Sequence, residues 1–362
     1  MKSRRNWLYT LCLLFSFDSR IQGNEFEDAQ YKELDQYLDK QISAADQQRA
    51  KSWHRDFSSA DAYEKSIEPW RAKLWNLIGG KPQTTLPLDP KEELIQEFPT
   101  HKAYRVWLQV LEGVHGYGIL LVPKGQGPFP AMVCIHGMKS TPEYVCGLEE
   151  KPDYTRNFGL RAVQKGYVVF APYDVNTQEG RRWLDRKAFL IGKKLQALEQ
   201  FKVERAVDYL SQRPDVNPKK IGAYGISWGG RTVMYLGAVD KRIAASAISG
   251  HFNDHLPKMV TPSPNYTPFI QTAEDYAFFS GHFLLFNDAD VVSLICPRPV
   301  FIEQGKADRV AHWEDSKRAF NEVKAYYDKL NLSDRAVYGL FEGVHEVRGD
   351  EAFEFFDKWL KH

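Results

Sequence analysis

The sequence is poor in cysteine and close to neutral, and each of these features excludes a class of protein. It has 4 cysteines in 362 residues, too few for disulfides to replace a hydrophobic core. Its 48 basic and 47 acidic side chains give a formal net charge of +1, which offers no electrostatic attraction to nucleic acid or to an anionic membrane. It also lacks internal repeats and low-complexity tracts. With 43% hydrophobic residues, the sequence predicts one large globular domain without a nucleic-acid partner.

The first residues are typical of a secretory signal peptide. A basic start, Met1–Arg5, precedes an apolar stretch from Trp7 to Phe17 that is too short to span a bilayer. Ile21-Gln22-Gly23 is a tolerable cleavage site, although an uncleaved anchor stays open as the alternative. We therefore expect residues 1–23 to be a signal peptide and the protein to be secreted or periplasmic, with no membrane span after cleavage.

Removing this segment leaves three cysteines, Cys134, Cys146 and Cys296. Three thiols cannot all pair within one molecule, and the first and last of them fall in or beside predicted core strands. Buried free thiols are therefore expected. Export without a disulfide framework suits a bacterial envelope compartment.

Ser227 lies in the pentapeptide Gly225-Ile226-Ser227-Trp228-Gly229, between an apolar run and a predicted helix. Small residues at both ends of this pentapeptide allow the chain to reverse sharply. Such a turn places a serine hydroxyl at the edge of a sheet, beside a free backbone N–H. The pattern predicts a nucleophilic serine, whereas a helix-capping serine is the alternative.

A nucleophilic serine needs a base and an acid that orients the base. Asp308 follows the apolar run Val300–Ile302 through a glycine turn, and His345 follows the later strand 336–341. The order serine, acid, histidine, with each residue after a strand, predicts a triad of Ser227, Asp308 and His345. Glu303 lies nearer the end of its strand and remains the rival acid.

A second oxyanion donor is expected in the loop after the strand 130–135, which begins His136-Gly137-Met138. HG-type loops in this position supply one backbone N–H, so we predict Met138 and Trp228 as the two donors. His136 itself is predicted to be structural, with its ring tied back into the loop.

These features resemble the α/β-hydrolase superfamily, in the branch that holds dienelactone-hydrolase-like and acetylxylan-esterase-like proteins. The resemblance implies a mostly parallel central sheet flanked by helices, a serine hydrolase activity and no cofactor. Trp228 departs from the smaller residue often found after the serine, and it could narrow the acyl pocket or pack beneath the turn. The resemblance runs from about Trp70 to the C-terminus and includes 165–172, 205–210, 213–222, 240–245, 297–299 and 343–346.

Helical periodicity in 31–38 and 62–78 predicts an N-terminal helical extension over residues 24–89, packed on the core. Residues 90–362 are then the catalytic domain, in which strands alternate with helices. Two strands around residue 113 are expected to be antiparallel at the first edge of the sheet.

Two long connections, 174–195 and 251–286, follow strands where the rim of an active site would lie. They hold Arg182, Trp183 and His251, which we predict to bind substrate, with packing onto the body as the alternative. No metal is predicted, because the histidines and acids of the second connection lack tight ligand spacing.

The sequence therefore predicts a serine esterase acting on a small-molecule or carbohydrate ester, either an acetyl or a uronate ester, while the oligomeric state stays open. Three alternatives remain. A dienelactone-type lactone hydrolase often uses cysteine, and a prolyl-oligopeptidase-like peptidase usually carries a propeller that the segment before residue 100 is too short to form. The third is a non-catalytic binding module with the same fold.

Overall fold

A computed structural model describes residues 25–150 and 153–362, so the predicted signal peptide lies outside the described residues. The chain divides into two compact units, one ending at Gln48 and the other comprising Arg49–His362. The described part of the first unit is helical. The second unit contains the sheet and the candidate active site.

In the described residues the helices and strands have the following bounds. The α-helices are α1 Glu25–Ser52, α2 Ala60–Leu77, α3 Pro142–Val145, α4 Phe158–Gln164, α5 Gln178–Phe189, α6 Leu195–Gln212, α7 Trp228–Val239, α8 His255–Val260, α9 His282–Leu285, α10 Asp288–Ser293, α11 Trp313–Lys329 and α12 Asp350–Leu360. Short 3₁₀ helices cover Phe269–Gln271, Asp275–Ala277 and Ser333–Arg335. The strands are β1 Lys91–Glu97, β2 His101–Leu111, β3 Val114–Pro123, β4 Phe129–Ile135, β5 Val168–Pro172, β6 Val216–Ile226, β7 Ile243–Ser249, β8 Val300–Gly305 and β9 Ala336–Phe341.

The described strands form one nine-stranded sheet in the order β1-β2-β3-β5-β4-β6-β7-β8-β9. The pairs β1–β2, β2–β3 and β3–β5 are antiparallel. The pairs β5–β4, β4–β6, β6–β7, β7–β8 and β8–β9 are parallel. This confirms the predicted mostly parallel sheet with antiparallel strands at its first edge. The carboxyl ends of β6, β8 and β9 consequently open toward the same edge of the sheet.

Apolar side chains cover both faces of the sheet, as β4 shows. Ala131, Val133 and Ile135 belong to one buried cluster, which contains residues of α2, α6, α7 and α11. Met132 and Cys134 belong to the opposite cluster, with residues of α4 and α12. Successive side chains of a strand point to opposite faces, so a continuous apolar run is what a strand buried on both faces requires.

Helices α1 and α2 occupy most of the predicted N-terminal extension, and Trp70, Leu74 and Ile78 are buried as their helical spacing indicates. The domain boundary at residue 89 stays a prediction. Cys134, Cys146 and Cys296 are buried free thiols, as expected. Within the ranges that the structure describes, no helix combines the length and apolarity needed to cross a membrane.

Candidate active site

Ser227 joins the carboxyl end of β6 to the first residue of α7, in a strained backbone conformation. Its φ of 59° and ψ of −123° lie outside the regions that a residue with a Cβ atom adopts readily. The turn is held from both sides. The Ser227 N–H donates to the carbonyl of Ser249 at 2.9 Å, and its carbonyl accepts from the N–H of Arg231 at 3.0 Å.

The two glycines that flank the turn are needed because the backbone packs so closely here. A Cβ atom at Gly225 would lie 2.4 Å from the carbonyl oxygen of Gly229, and one at Gly229 would lie 2.1 Å from the carbonyl oxygen of Ile135. Either contact is far inside van der Waals distance. The sequence interpretation of the pentapeptide as a sharp turn therefore agrees with the geometry of the structure.

His345 lies in the loop after β9, and its ring is held by Asp308 from the loop after β8. The Nδ1 atom of His345 is 2.8 Å from Oδ2 of Asp308. The Asp308 side chain is 1% exposed, and its Oδ1 accepts from the N–H groups of Val310 at 2.7 Å and Ala311 at 3.2 Å. This arrangement leaves Nε2 of His345 as the ring nitrogen available for proton transfer.

Glu303, the rival acid, contacts other groups. It is buried near the end of β8, where its carboxylate accepts from the hydroxyls of Tyr224 and Ser249, both at 2.8 Å, and from the N–H of Gly349 at 2.7 Å. Burial raises the pKa of Glu303. Its partners belong to β6, β7 and the start of α12, so Glu303 ties these elements together and Asp308 is the carboxylate beside His345.

The predicted oxyanion donors both border the cavity described next. Trp228 is the first residue of α7, so its N–H has no acceptor within the helix. Met138 is partly exposed at the tip of the loop after β4. His136 is tied back into that loop, as expected. Its Nδ1 lies 2.8 Å from the carbonyl of Gly137, and its Nε2 accepts from the N–H of Asp174 at 3.1 Å.

Ser227 and His345 line one cavity of about 350 Å³, together with Met138 and Trp228. The connection 251–286 supplies much of the remaining wall. Trp228 lines the cavity and is 7% exposed, and its ring centroid lies 5.0 Å from that of Tyr276, so it packs against the body. Cavities of this size hold small ligands with a few polar anchors. The residues contributed by the connection are His251, Asn253, Lys258, Thr267, Phe269 and Glu274.

Two charged side chains in this wall were not singled out from the sequence. Glu274 accepts from Nε1 of Trp228 at 3.2 Å and from the hydroxyl of Tyr276 at 2.9 Å. Lys258 donates to two backbone carbonyls and lies 4.4 Å from the ring centroid of Phe269. Burial lowers the pKa of Lys258 to about 8. The cavity thus offers a fixed hydrogen-bond acceptor and a cation beside aromatic surface.

Of the three residues predicted to bind substrate, only His251 lines this cavity. Burial lowers the pKa of His251 to about 3, so its ring is neutral at physiological pH. Trp183 is 65% exposed on α5 and lines a separate surface groove with Arg182. Arg182 also faces Asp275, with 3.7 Å between Nε and Oδ2. The structure therefore places these two residues outside the cavity of Ser227.

Behind the cavity, buried side chains fasten the connection that forms its wall. Asp288 accepts from the N–H of Asn253 at 3.1 Å and lies 2.7 Å from Nδ1 of His255. Nε2 of His255 is in turn 3.0 Å from Nδ1 of His282. In the part of the chain that the structure describes, no group of three or more histidine, cysteine, aspartate or glutamate residues is arranged to hold a metal ion.

Comparison with known proteins gives one family match and several similar folds. Residues 117–273 match the dienelactone hydrolase family. The protein YtaP of Bacillus subtilis (strain 168) is 27% identical over 310 residues, which are 80% of this chain and 98% of that protein. A glucuronoyl esterase from Solibacter usitatus superposes with a TM-score of 0.60 at 14% identity, over 84% of this chain and 93% of that chain. An acetyl xylan esterase from Paenibacillus sp. R4 superposes with a TM-score of 0.55 at 15% identity, over 85% of this chain and 98% of that chain.

The chain therefore has an α/β-hydrolase fold, and its residues 117–273 match the model of the dienelactone hydrolase family. The resemblance inferred from the sequence is confirmed. The family match and the fold together mark the protein as a hydrolase.

Proposed function

We propose that this hydrolase is a serine esterase that cleaves carboxylic esters of carbohydrates through an acyl-enzyme. The observation that carries the proposal is that Ser227, at a strained turn, shares one cavity with His345, whose Nδ1 lies 2.8 Å from Asp308. A strained serine beside a histidine that a buried carboxylate orients is the arrangement that nucleophilic acyl transfer needs.

In the proposed reaction, Nε2 of His345 removes the Ser227 proton as Oγ attacks the ester carbonyl. Asp308 holds the imidazole in the tautomer with the proton on Nδ1 and stabilises the imidazolium that forms. The N–H groups of Trp228 and Met138 bind the oxyanion, a contribution of roughly 2.7–4 kcal/mol per donor in comparable enzymes. His345 then returns the proton to the leaving alcohol, and water hydrolyses the acyl-enzyme.

The residues that line the cavity support a carbohydrate as the alcohol part or the acid part of the ester. Sugar rings pair an apolar face with hydroxyls that both donate and accept hydrogen bonds. Here Trp228 and Phe269 supply aromatic surface, Glu274 supplies an acceptor, and Lys258 and Asn253 supply polar groups. The similar structures named for glucuronoyl and acetyl xylan esterases support the same substrate class, with an acetyl or a uronate ester as the bond cleaved.

Secretion is part of the proposal, since a polymeric carbohydrate would be met outside the cytoplasm. It is supported by the signal-peptide pattern in residues 1–23. Export followed by N-terminal sequencing of the protein from the medium or periplasm would test it.

Covalent labelling separates this proposal from a non-catalytic module. A fluorophosphonate probe should modify the wild-type protein at Ser227, identified by peptide mass spectrometry, and should leave Ser227→Ala unmodified. A panel of acetylated xylosides, methyl glucuronate esters, lactones and prolyl peptides then assigns the substrate. Turnover confined to lactones or to peptides would overturn the carbohydrate assignment while keeping the serine mechanism.

A further inference from the structure

A second pocket lies at the opposite end of the sheet from Ser227. It has a volume of about 530 Å³, and we call it the basal pocket. Its lining comes from the starts of β6 and β7, from the segments that lead into β8 and β9, and from the end of α12, whereas Ser227, Asp308 and His345 follow strand ends. The seven residues of β7 alone separate the two ends by roughly 20 Å. The side chains that matter are Lys219, Lys241, Arg242, Arg298, Arg335 and Trp359.

The lining of the basal pocket is strongly basic. Five of its residues are lysine or arginine and none is aspartate or glutamate, in a chain whose formal net charge is only +1. Two of these five cations have nearby carboxylate partners. Lys241 faces Glu64 and Glu68 of α2, and Arg242 faces Asp208 and Asp240, so their charges are largely offset.

The other three cations form no ion pair with a carboxylate in the described residues. Lys219 is exposed at the mouth of the pocket. Arg298 donates only to backbone carbonyls, at 2.7 Å to Ile243 and 2.6 Å to Gly237. Arg335 donates to the carbonyl of Pro297 at 2.8 Å, and the adjacent Asp334 is bound by Lys358 instead. Carbonyls satisfy hydrogen bonds, but they carry no formal charge to balance a buried cation.

Two further observations point to an anionic occupant. Burial lowers the pKa of the Arg298 guanidinium to about 10 and the nearby Arg71 adds to this effect, while Glu64 and Asp240 offset only part of it. The indole Nε1 of Trp359 is buried and has no hydrogen-bond acceptor among the described residues. A ligand with several oxyanion oxygens would balance the unpaired cations.

We propose that the basal pocket binds an oxyanion ligand, carried either by the carboxylates of an acidic oligosaccharide or by a phosphate group. Guanidinium and ammonium groups recognise both through charge-assisted hydrogen bonds. The site is distinct from the cavity of Ser227 and does not depend on ester hydrolysis.

Isothermal titration calorimetry of the full chain at low ionic strength tests the site. The probes are trigalacturonate and inorganic phosphate, with neutral xylotriose as the uncharged control. We expect saturable binding of at least one anion, none of xylotriose, and weakening as salt is added. Lys219→Gln and Arg335→Gln should each weaken binding about tenfold, since each removes one charge-assisted contact. Lys124→Gln, which alters an exposed lysine on another part of the surface, should leave it unchanged.

The pattern of binding identifies the source of the anion. Trigalacturonate alone would indicate an acidic saccharide, and phosphate alone would indicate a phosphorylated ligand. Absence of binding by both anions would overturn the proposal, and so would binding that persists unchanged in both pocket variants. The side chain of Lys219 makes no hydrogen bond or ion pair in the described residues, so Lys219→Gln tests the site even if Arg335→Gln alters the fold. Activity on a chromogenic acetate should be the same in Lys219→Gln and wild type, which separates this site from the proposed catalysis.

Discussion

The ammonium of Lys258 donates a 2.6 Å hydrogen bond to the carbonyl of Val310, two residues after Asp308. A second bond, of 2.7 Å, goes to the carbonyl of Thr267 in the connection 251–286. Because the N–H of Val310 also donates to Asp308, at 2.7 Å, Lys258 links the cavity wall to the loop that carries the proposed catalytic acid. Because this buried cation donates to both segments, it holds the connection 251–286 and the loop of Asp308 in fixed positions relative to each other.

Lys258→Met should lower kcat by about tenfold or more, because a loop shifted by a fraction of an ångström misplaces the acid and the imidazole. It also leaves two carbonyls without their buried donor. The measurement is steady-state kinetics on an aryl acetate, with Lys306→Gln as the control, since Lys306 is an exposed lysine two residues before Asp308. Equal activity in the two variants would show that Lys258 does not position the acid loop.

The sequence was sufficient to predict the triad candidates because each follows a strand and lies beside glycines that permit a tight turn. Ser227, Asp308 and His345 could therefore be placed at one edge of the sheet from chain order alone. It was not sufficient to predict Lys258 or Glu274, which lie in an irregular connection whose path depends on tertiary packing. For the same reason Trp183 could not be separated in advance from cavity residues, although its ring is exposed elsewhere.

The sequence does not predict strand β1, because this strand lies at the edge of the sheet. Its residues Lys91–Glu97 form an edge strand with mostly exposed side chains, so it shows neither an apolar run nor alternation. Charged side chains on an edge strand discourage pairing with other molecules. The pattern that identifies buried strands is therefore absent from this one.

Ser227→Ala should abolish turnover of a chromogenic acetyl ester, because the attacking oxygen is lost. The change removes only one hydroxyl from a cavity wall, so thermal stability should stay close to that of the wild type. Ester hydrolysis and a melting curve measured on the same preparation check both statements. Substantial remaining activity in a purified sample would remove Ser227 from the mechanism.

Asp308→Asn and Glu303→Gln should affect different properties. Asp308→Asn favours the wrong tautomer of His345 and should lower kcat by up to about 10⁴, as in a related triad. Glu303→Gln disturbs buried hydrogen bonds to Tyr224, Ser249 and Gly349, and should chiefly lower the melting temperature. Paired kinetics and melting curves distinguish the two. A larger kcat loss in Glu303→Gln, with its fold intact, would reverse the assignment of the acid.

Glu274→Gln should lower kcat/KM for an acetylated xyloside or a glucuronate ester more than for a small aryl acetate. The glutamine amide has one acceptor oxygen in place of two and carries no charge, so hydrogen bonds from sugar hydroxyls should weaken, whereas an aryl acetate has no such hydroxyl. General damage to the triad lowers kcat/KM for both substrates alike, so the ratio of the two changes in kcat/KM isolates the effect on sugar binding. Trp183→Ala is the matched control, because Trp183 lies outside the cavity. This variant should leave kcat/KM unchanged for both substrates. An effect of Trp183→Ala confined to longer oligosaccharides would extend the substrate site to the groove on α5.

Acid should destabilise this protein through its buried histidines. Burial lowers the pKa of His251 from 6.5 to about 3 and that of His136 from 6.5 to about 4. Below pH 6.5 the unfolded chain therefore binds protons that the folded chain does not, and the free energy of unfolding falls as the pH drops toward these lower values. His251→Leu removes one such group, so its free energy of unfolding should depend less steeply on pH over this range, by up to about 1.4 kcal/mol per pH unit. Leu190→Gln, at an exposed site without a titratable group, should retain the wild-type slope. Identical slopes in wild type and His251→Leu, measured by circular dichroism, would show that His251 takes up its proton in the folded state.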